Sequence, residues 1–288
     1  MKQVLVLSGK GGTGKTTIAR AMIDLMEPQA FADCDVDAPN LHLVLDRTDP
    51  AENDNYYGMD KAQISPALCI GCDKCREYCR FGAITIVEDG YKVDPFACEG
   101  CGVCAAVCPS NAAVLKPYTA GRLQLFAASP VFSTAQLRIG SGNSGLLVTE
   151  VKQRMNKAAR DGRIAVIDGS PGIGCPVIAS ISGVDLVLIV AEPSLSGLSD
   201  LQRIVETGKA FHASMAICVN KYDIDLRKTK EIIQFSESCG IPFVGTIPFD
   251  PDVIGAVNAG QSIVNTTSAA GEAVRRVVQH TLKLLLED

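Results

Sequence analysis

The chain has 288 residues, 47% of them apolar and 20% charged, with a net charge of -5. That is enough apolar chain for one sizeable α/β core plus a small module, and an acidic chain without a Lys/Arg run excludes ordinary nucleic-acid binding. No apolar run is long enough to span a bilayer and the opening residues lack a signal-peptide layout, so the expectation is a cytoplasmic chain.

Residues 3–7 read as a buried parallel strand, 8–14 as a glycine loop, 15–26 as a helix, and 30–32 as a second strand ending in Asp33-Cys34-Asp35-Val36-Asp37. Strand, glycine loop, helix and strand open a doubly wound, mostly parallel sheet. Residues 46–60 are polar and read as loop. From about 64 to 117 the chain is cysteine-rich. The α/β rhythm then returns, with a strand at 123–127 and a helix at 146–160. Four further strands at 163–167, 186–191, 215–219 and 243–247 end at Asp168, Glu192, Asn220 and Pro248. Polar residues at strand C-termini mark the edge where a parallel sheet binds ligands. An amphipathic helix over 274–286 closes the chain, and packing on the sheet, rather than on a membrane, is its expected use. The division expected is a first ATPase part over 1–62, an inserted ferredoxin-like α+β module over 63–117, and a second ATPase part over 118–288.

Gly9-Lys10-Gly11-Gly12-Thr13-Gly14-Lys15-Thr16 fits G-x-x-x-x-G-K-[ST]. The glycines let backbone N–H groups wrap a phosphate, Lys15 reaches the terminal phosphates and the Thr16 hydroxyl reaches Mg²⁺. Thr17, at the start of the helix, belongs to the same cofactor-binding set.

Eight of the twelve cysteines lie between Cys69 and Cys108. In a reducing compartment such crowding reads as metal ligation rather than a disulfide framework. The runs Cys69-Cys72-Cys75-Cys79 and Cys98-Cys101-Cys104-Cys108-Pro109 each have bacterial ferredoxin spacing. In that pattern three thiolates of one run and the fourth of the other hold each cube. Cys69, Cys72, Cys75 and Cys108 are therefore expected on one [4Fe–4S] cluster, and Cys98, Cys101, Cys104 and Cys79 on the other, with each fourth cysteine on a helix. Zinc prefers two pairs with a longer gap. Ile64-Ser65-Pro66 before Cys69 recurs as Val93-Asp94-Pro95 before Cys98, so the module is a duplication with an offset of 29 residues. Arg80 stands where a proline usually follows the run, a positive charge able to raise one cluster's potential.

Lys10, a second lysine inside the phosphate loop, gives the chain a resemblance to the MinD/ParA/Mrp family of deviant P-loop ATPases, which includes the nitrogenase iron protein. The resemblance implies an ATPase using ATP/ADP and Mg²⁺, in which Lys10 crosses a dimer interface to the other subunit's nucleotide. It implies that Asp35 orients the attacking water and that Asp33 and Asp37 support Mg²⁺ or the first switch, unless one of the three caps the next turn. It makes Asp168 the Walker-B carboxylate and sets Gly172 to offer an N–H to the γ-phosphate, although Gly169-Ser170-Pro171 departs from the usual proline-proline-glycine. Asn220 and Lys221, with Pro248 and Asp250, would form an adenine pocket, outweighing the superficial Asn220-Lys221-Tyr222-Asp223 match to guanine-binding proteins.

With the cysteine module included, the chain resembles MinD-superfamily ATPases carrying an inserted ferredoxin domain, through Asp37-Ala38-Pro39-Asn40-Leu41-His42, Gly172-Ile173-Gly174-Cys175 and Asn143-Ser144-Gly145. Ser141-Gly142 departs from the acidic residues common there. The implied partners are a second ATPase copy, identical or paralogous, and a redox or metallocluster client. The implied function is a nucleotide-dependent dimer switch coupled to electron transfer or cluster handling. Two alternatives stand beside it: an Mrp-like cluster carrier and a MinD-like positioning ATPase with redox sensing. Cys175 is either a dimer-bridging ligand or a small packing residue. Cys34, Cys218 and Cys239 are expected in the core, and His42 on a helix face.

Overall fold

The computed structural model describes residues 1–45 and 47–287. In chain order its elements begin β1 (Lys2–Leu7), α1 (Lys15–Met26), β2 (Ala30–Asp33), β3 (Glu52–Tyr57) and β4 (Lys61–Ile64). They continue α2 (Lys74–Glu77), β5 (Ile84–Val87), β6 (Gly90–Val93), α3 (Val103–Ala106), β7 (Ala113–Lys116), β8 (Thr119–Phe126) and β9 (Val131–Leu137). The remainder is α4 (Ser144–Ala158), β10 (Ile164–Asp168), α5 (Cys175–Ile181), β11 (Leu186–Ala191), α6 (Leu195–Ala210), β12 (Ser214–Asn220), α7 (Leu226–Ser238), β13 (Phe243–Ile247), α8 (Pro251–Asn258) and α9 (Ala269–Glu287). The chain divides into a unit of Met1–Asn53, Leu123–Gln136 and Gly145–Asp288, and a unit of Asp54–Arg122 and Leu137–Ser144.

A nine-stranded sheet runs in the order β13-β12-β11-β1-β10-β2-β9-β8-β3. The pairs from β13 through to β9 are parallel. β11 is wholly apolar and buried, and β1 is so from Val4 onward, as strands covered by helices on both faces must be. Register decides where chemistry collects. Val6 lies opposite Asp168 and Asp168 opposite Asp33. The C-terminal ends of β1, β10 and β2 therefore share one edge, and the phosphate loop leaves β1 there.

α9 begins earlier than its periodicity predicts. Its buried residues Ala270, Ala273, Val274, Val277, Val278 and Leu285 repeat at helical spacing and join the core cluster of α1 and the sheet. Residues 52–57, expected as loop, form β3 at the sheet edge. Its Glu-Asn-Asp-Asn start carries no apolar alternation because only Tyr56 is buried; an edge strand is held by its backbone pairing. β9, also unforeseen, pairs in parallel with β2.

In the second unit β4 pairs antiparallel with β7, and β5 with β6. The sequence duplication is a backbone duplication. Gly71, Asp73 and Gly82 take positive φ, and so do Gly100, Gly102 and Asn111 at the same offset. One correction concerns the cysteines. The third of each run, Cys75 and Cys104, lies in the short helix, while Cys79 and Cys108 follow its end. Four residues make too short a helix to reach the fourth position.

Candidate functional site

The phosphate loop surrounds a cavity of about 430 Å³ lined by Lys10, Gly11, Gly12, Thr13, Gly14, Lys15, Thr16 and Thr17, with Asp35 and Asn40 facing them. Gly12 and Gly14 have φ of 80° and 93°. A Cβ on Gly14 would also lie 2.3 Å from Asn220 Nδ2, so only glycine fits there. Lys15 Nζ pairs with Asp168 Oδ1 at 2.5 Å, and the Thr16 hydroxyl donates to Asp168 Oδ2 at 2.8 Å. The Thr13 and Ser262 hydroxyls, both on the cavity lining, are buried without a protein partner. Unpartnered polar groups around a cation-rich loop suit a phosphorylated ligand.

The three aspartates after β2 separate cleanly. Asp33 is fully buried and accepts from the backbone N–H groups of Asp35, Asn40 and Leu41, which makes it the cap of the turn. Asp35 lines the cavity. Burial raises its carboxyl above the ordinary value, against the opposing charge of Lys15. Asp37 is exposed and outside that lining. The two switch segments are tied: the Cys34 N–H donates to the Asp168 carbonyl at 2.7 Å, and the Ser170 hydroxyl donates to the Cys34 carbonyl at 2.6 Å. Gly172 has φ of 97°, and its N–H donates to the Ser8 carbonyl at 2.9 Å. An N–H so engaged reaches a γ-phosphate only after the segment shifts.

A second cavity of about 290 Å³ shares Gly12, Gly14 and Thr17 with the first and adds Asn220, Lys221, Pro248, Phe249 and Asp250. Asn220 Nδ2 donates to the Thr13 carbonyl at 2.7 Å and Lys221 Nζ to the Gly12 carbonyl at 2.9 Å. Asp223, the residue a guanine-reading motif would use, accepts from the Phe249 N–H at 2.7 Å. Asp250 caps α8 through the Asp252 N–H.

Lys10 Nζ lies 2.8 Å from Glu192 Oε2 and 3.0 Å from the Ser194 hydroxyl. Lys221 reaches the other oxygen of Glu192 at 3.1 Å. Burial opposes ionisation of Glu192, yet hydrogen bonds from the two lysines hold its carboxyl below the usual range. The motifs did not single out Glu192. Its only signal was its position, a polar residue at the end of β11.

In the second unit, Cys79, Cys98, Cys101 and Cys104 line one cavity with Ala62, Ala83, Val93 and Leu115. Cys98 Sγ accepts from the Ala62 N–H at 3.5 Å. Of the other four, Cys75 is raised by burial and feels the charges of Cys69 and Cys104. Backbone N–H groups, Ala113's foremost, hold the Cys108 thiol below its ordinary value. All twelve cysteines are unpaired. Among the described residues, no group of three or more His, Cys, Asp or Glu is placed to hold a single metal ion. Cys34 and Cys218 are buried, Cys239 is half-buried, and Cys175 is exposed at the start of α5. His42 is exposed on a three-residue 3-10 turn.

The model of the family described as CobQ/CobB/MinD/ParA nucleotide binding domain matches residues 4–263. An uncharacterized protein of Methanocaldococcus jannaschii is 30% identical over 283 residues, 96% of this chain and 95% of that one. The septum site-determining protein MinD of Helicobacter pylori is 26% identical over 139 residues, 44% of this chain and 52% of that one. Among solved structures, the septum site-determining protein MinD of Pyrococcus horikoshii OT3, complexed with Mg-ADP, superposes with a TM-score of 0.58. It is 18% identical, covering 98% of this chain and 96% of that one. The cell division ATPase MinD of Pyrococcus furiosus gives 0.57 at 18% identity, covering 98% and 99%.

Proposed function

The chain belongs to the CobQ/CobB/MinD/ParA nucleotide-binding family, and from that premise we propose an ATP-driven dimer switch that moves electrons through two [4Fe–4S] clusters. The ATPase half follows from the family and the loop geometry. Lys15 takes the terminal phosphates, Asp35 holds the attacking water, and Thr16 and Asp168 would hold Mg²⁺, which neutralises phosphate charge. Asn220, Lys221, Pro248 and Asp250 bound the base. Asp223 already accepts from the Phe249 N–H through Oδ1, a bond that competes with guanine reading and favours ATP.

The redox half is carried by one observation: Cys79 joins Cys98, Cys101 and Cys104 on a single cavity, across the boundary between the two runs. That is the donor set a ferredoxin spacing requires. A four-iron cube spreads its thiolates farther apart than one ion does, so the lack of a single-ion site does not bear on it. Apolar walls and an N–H donor to Sγ suit a thiolate at the buried Cys98. The proposed module, 63–117, falls inside the unit that includes 54–122.

The positioning alternative draws support from relatives named for septum placement. It would use α9 on a lipid surface. The apolar face of α9 is buried in the core, which favours electron transfer over this use of the helix. The carrier alternative needs a labile site beyond the two cubes, with exposed Cys175 as its extra ligand. The test is anaerobic reconstitution followed by electron transfer to an artificial acceptor. About eight irons per chain, unchanged by Cys175→Ser, and faster transfer with ATP than with ADP are expected. No iron uptake overturns the cluster reading, and equal rates overturn the gating.

A further inference from the structure

Reduction adds one negative charge to a four-iron cube, so nearby fixed charge decides which of two cubes is easier to reduce. A buried cation counts for more than an exposed one, because water screens the latter. The second unit holds one such cation against a proposed ligand. Lys61, the first residue of β4, is 8% exposed. Its Nζ donates to the carbonyl of Cys98 and lies 5.8 Å from the centre of the Tyr118 ring. The next residue, Ala62, donates its N–H to Cys98 Sγ. β4 thus brings a positive charge and a backbone dipole to the same cysteine. The acceptor is a carbonyl, not a carboxylate, so the bond leaves the charge unneutralised.

The duplication supplies the control. The offset that carries Cys69 to Cys98 carries Lys61 to Gly90, the first residue of β6. Gly90, the residue equivalent to Lys61, therefore offers the cysteines of the first run no side chain. Arg76, in the first run, is exposed and paired with Asp73. Arg80, to which the sequence pointed, is exposed as well. Glu99 lines the Cys98 cavity, but it too is exposed and screened.

Building on the two-cluster reading, we infer that Lys61 raises the potential of the cube held by Cys79, Cys98, Cys101 and Cys104. Electrons rest there, and the cube of the first run is the low-potential partner. The duplicated module is an asymmetric two-step path, with the direction set by one lysine.

The experiment is a potentiometric titration of the full-length reconstituted chain, followed by EPR. The wild type should show two separate potentials. Lys61→Met should lower the higher one by at least about tenfold in reduction equilibrium, about 59 mV for one electron, and leave the other unmoved. Lys61→Arg should restore it. Lys61→Gln keeps a donor for the Cys98 carbonyl but removes the charge, and it decides the matter if the methionine variant does not assemble. In a background with Cys69, Cys72 and Cys75 replaced by serine the Lys61→Gln shift should persist. In a background with Cys98, Cys101 and Cys104 replaced it should vanish. Wild-type chain without cubes would defeat the two-cluster reading. Two assembled cubes whose potentials ignore Lys61→Gln would defeat the role of Lys61 alone.

Discussion

Lys10 and Glu192 form an ion pair within one chain, Nζ 2.8 Å from Oε2. The family resemblance sends this lysine to the nucleotide of another subunit, so on the proposed reading the pair would be a parked position for a residue that acts in trans. Glu192 also holds Lys221 over the phosphate loop, which ties the parking site to the nucleotide cavity. Lys10→Ala should lower ATP hydrolysis by about 10³-fold or more, the scale of a lost transition-state cation, while a fluorescent ATP analogue still binds within a few-fold. Glu192→Gln should loosen the parked lysine and lower the ATP concentration at which light scattering reports a dimer. An unchanged dimerisation curve would count against parking.

The pair of Lys15 and Asp168 is buried on both sides. Lys15→Met leaves the buried Asp168 charge without its cation and should cost about 3–5 kcal/mol of stability along with phosphate binding. Lys15→Met with Asp168→Asn should recover most of the stability but none of the hydrolysis. Thermal unfolding and phosphate release measure the two separately.

The proposed exchange of the fourth cysteines between the runs gives a counting experiment. With Cys98, Cys101 and Cys104 replaced by serine, the chain should retain about four irons. Adding Cys79→Ser should change nothing, whereas adding Cys108→Ser should remove the remaining cube. The opposite pattern would mean that each run keeps its own fourth ligand.

Burial, then the charge of Asp168, pushes the Asp33 carboxyl up to about 7 from 3.8. Between those values the native chain holds a proton that the unfolded chain has released. Stability contributed by this group therefore falls as pH rises from about 4 to about 7 and is flat above. Asp33→Asn should remove that slope, so the difference in urea midpoint between wild type and variant should change with pH only inside the window. A constant difference from about pH 4 to about pH 7 would refute the shift.

The sequence by itself determined the parts built from consecutive residues. The phosphate loop needs glycines and a lysine at fixed steps, because a backbone wraps a phosphate within one turn. The cysteine runs are legible for the same reason, and so is the duplication, whose positive-φ positions repeat with it. Tertiary structure decided whatever depends on strand register and on which distant ends meet. Parallel pairing placed Asp168 beside Asp33, making Asp33 a buried cap and leaving Asp35 for the cavity. It brought the end of β11 under Lys10, a partner no local pattern encodes. β3 was hidden because an edge strand is held through its backbone and needs no apolar alternation. Lys61 looked like any lysine before a cysteine module until the fold buried it against Cys98 and left Gly90 at the equivalent place.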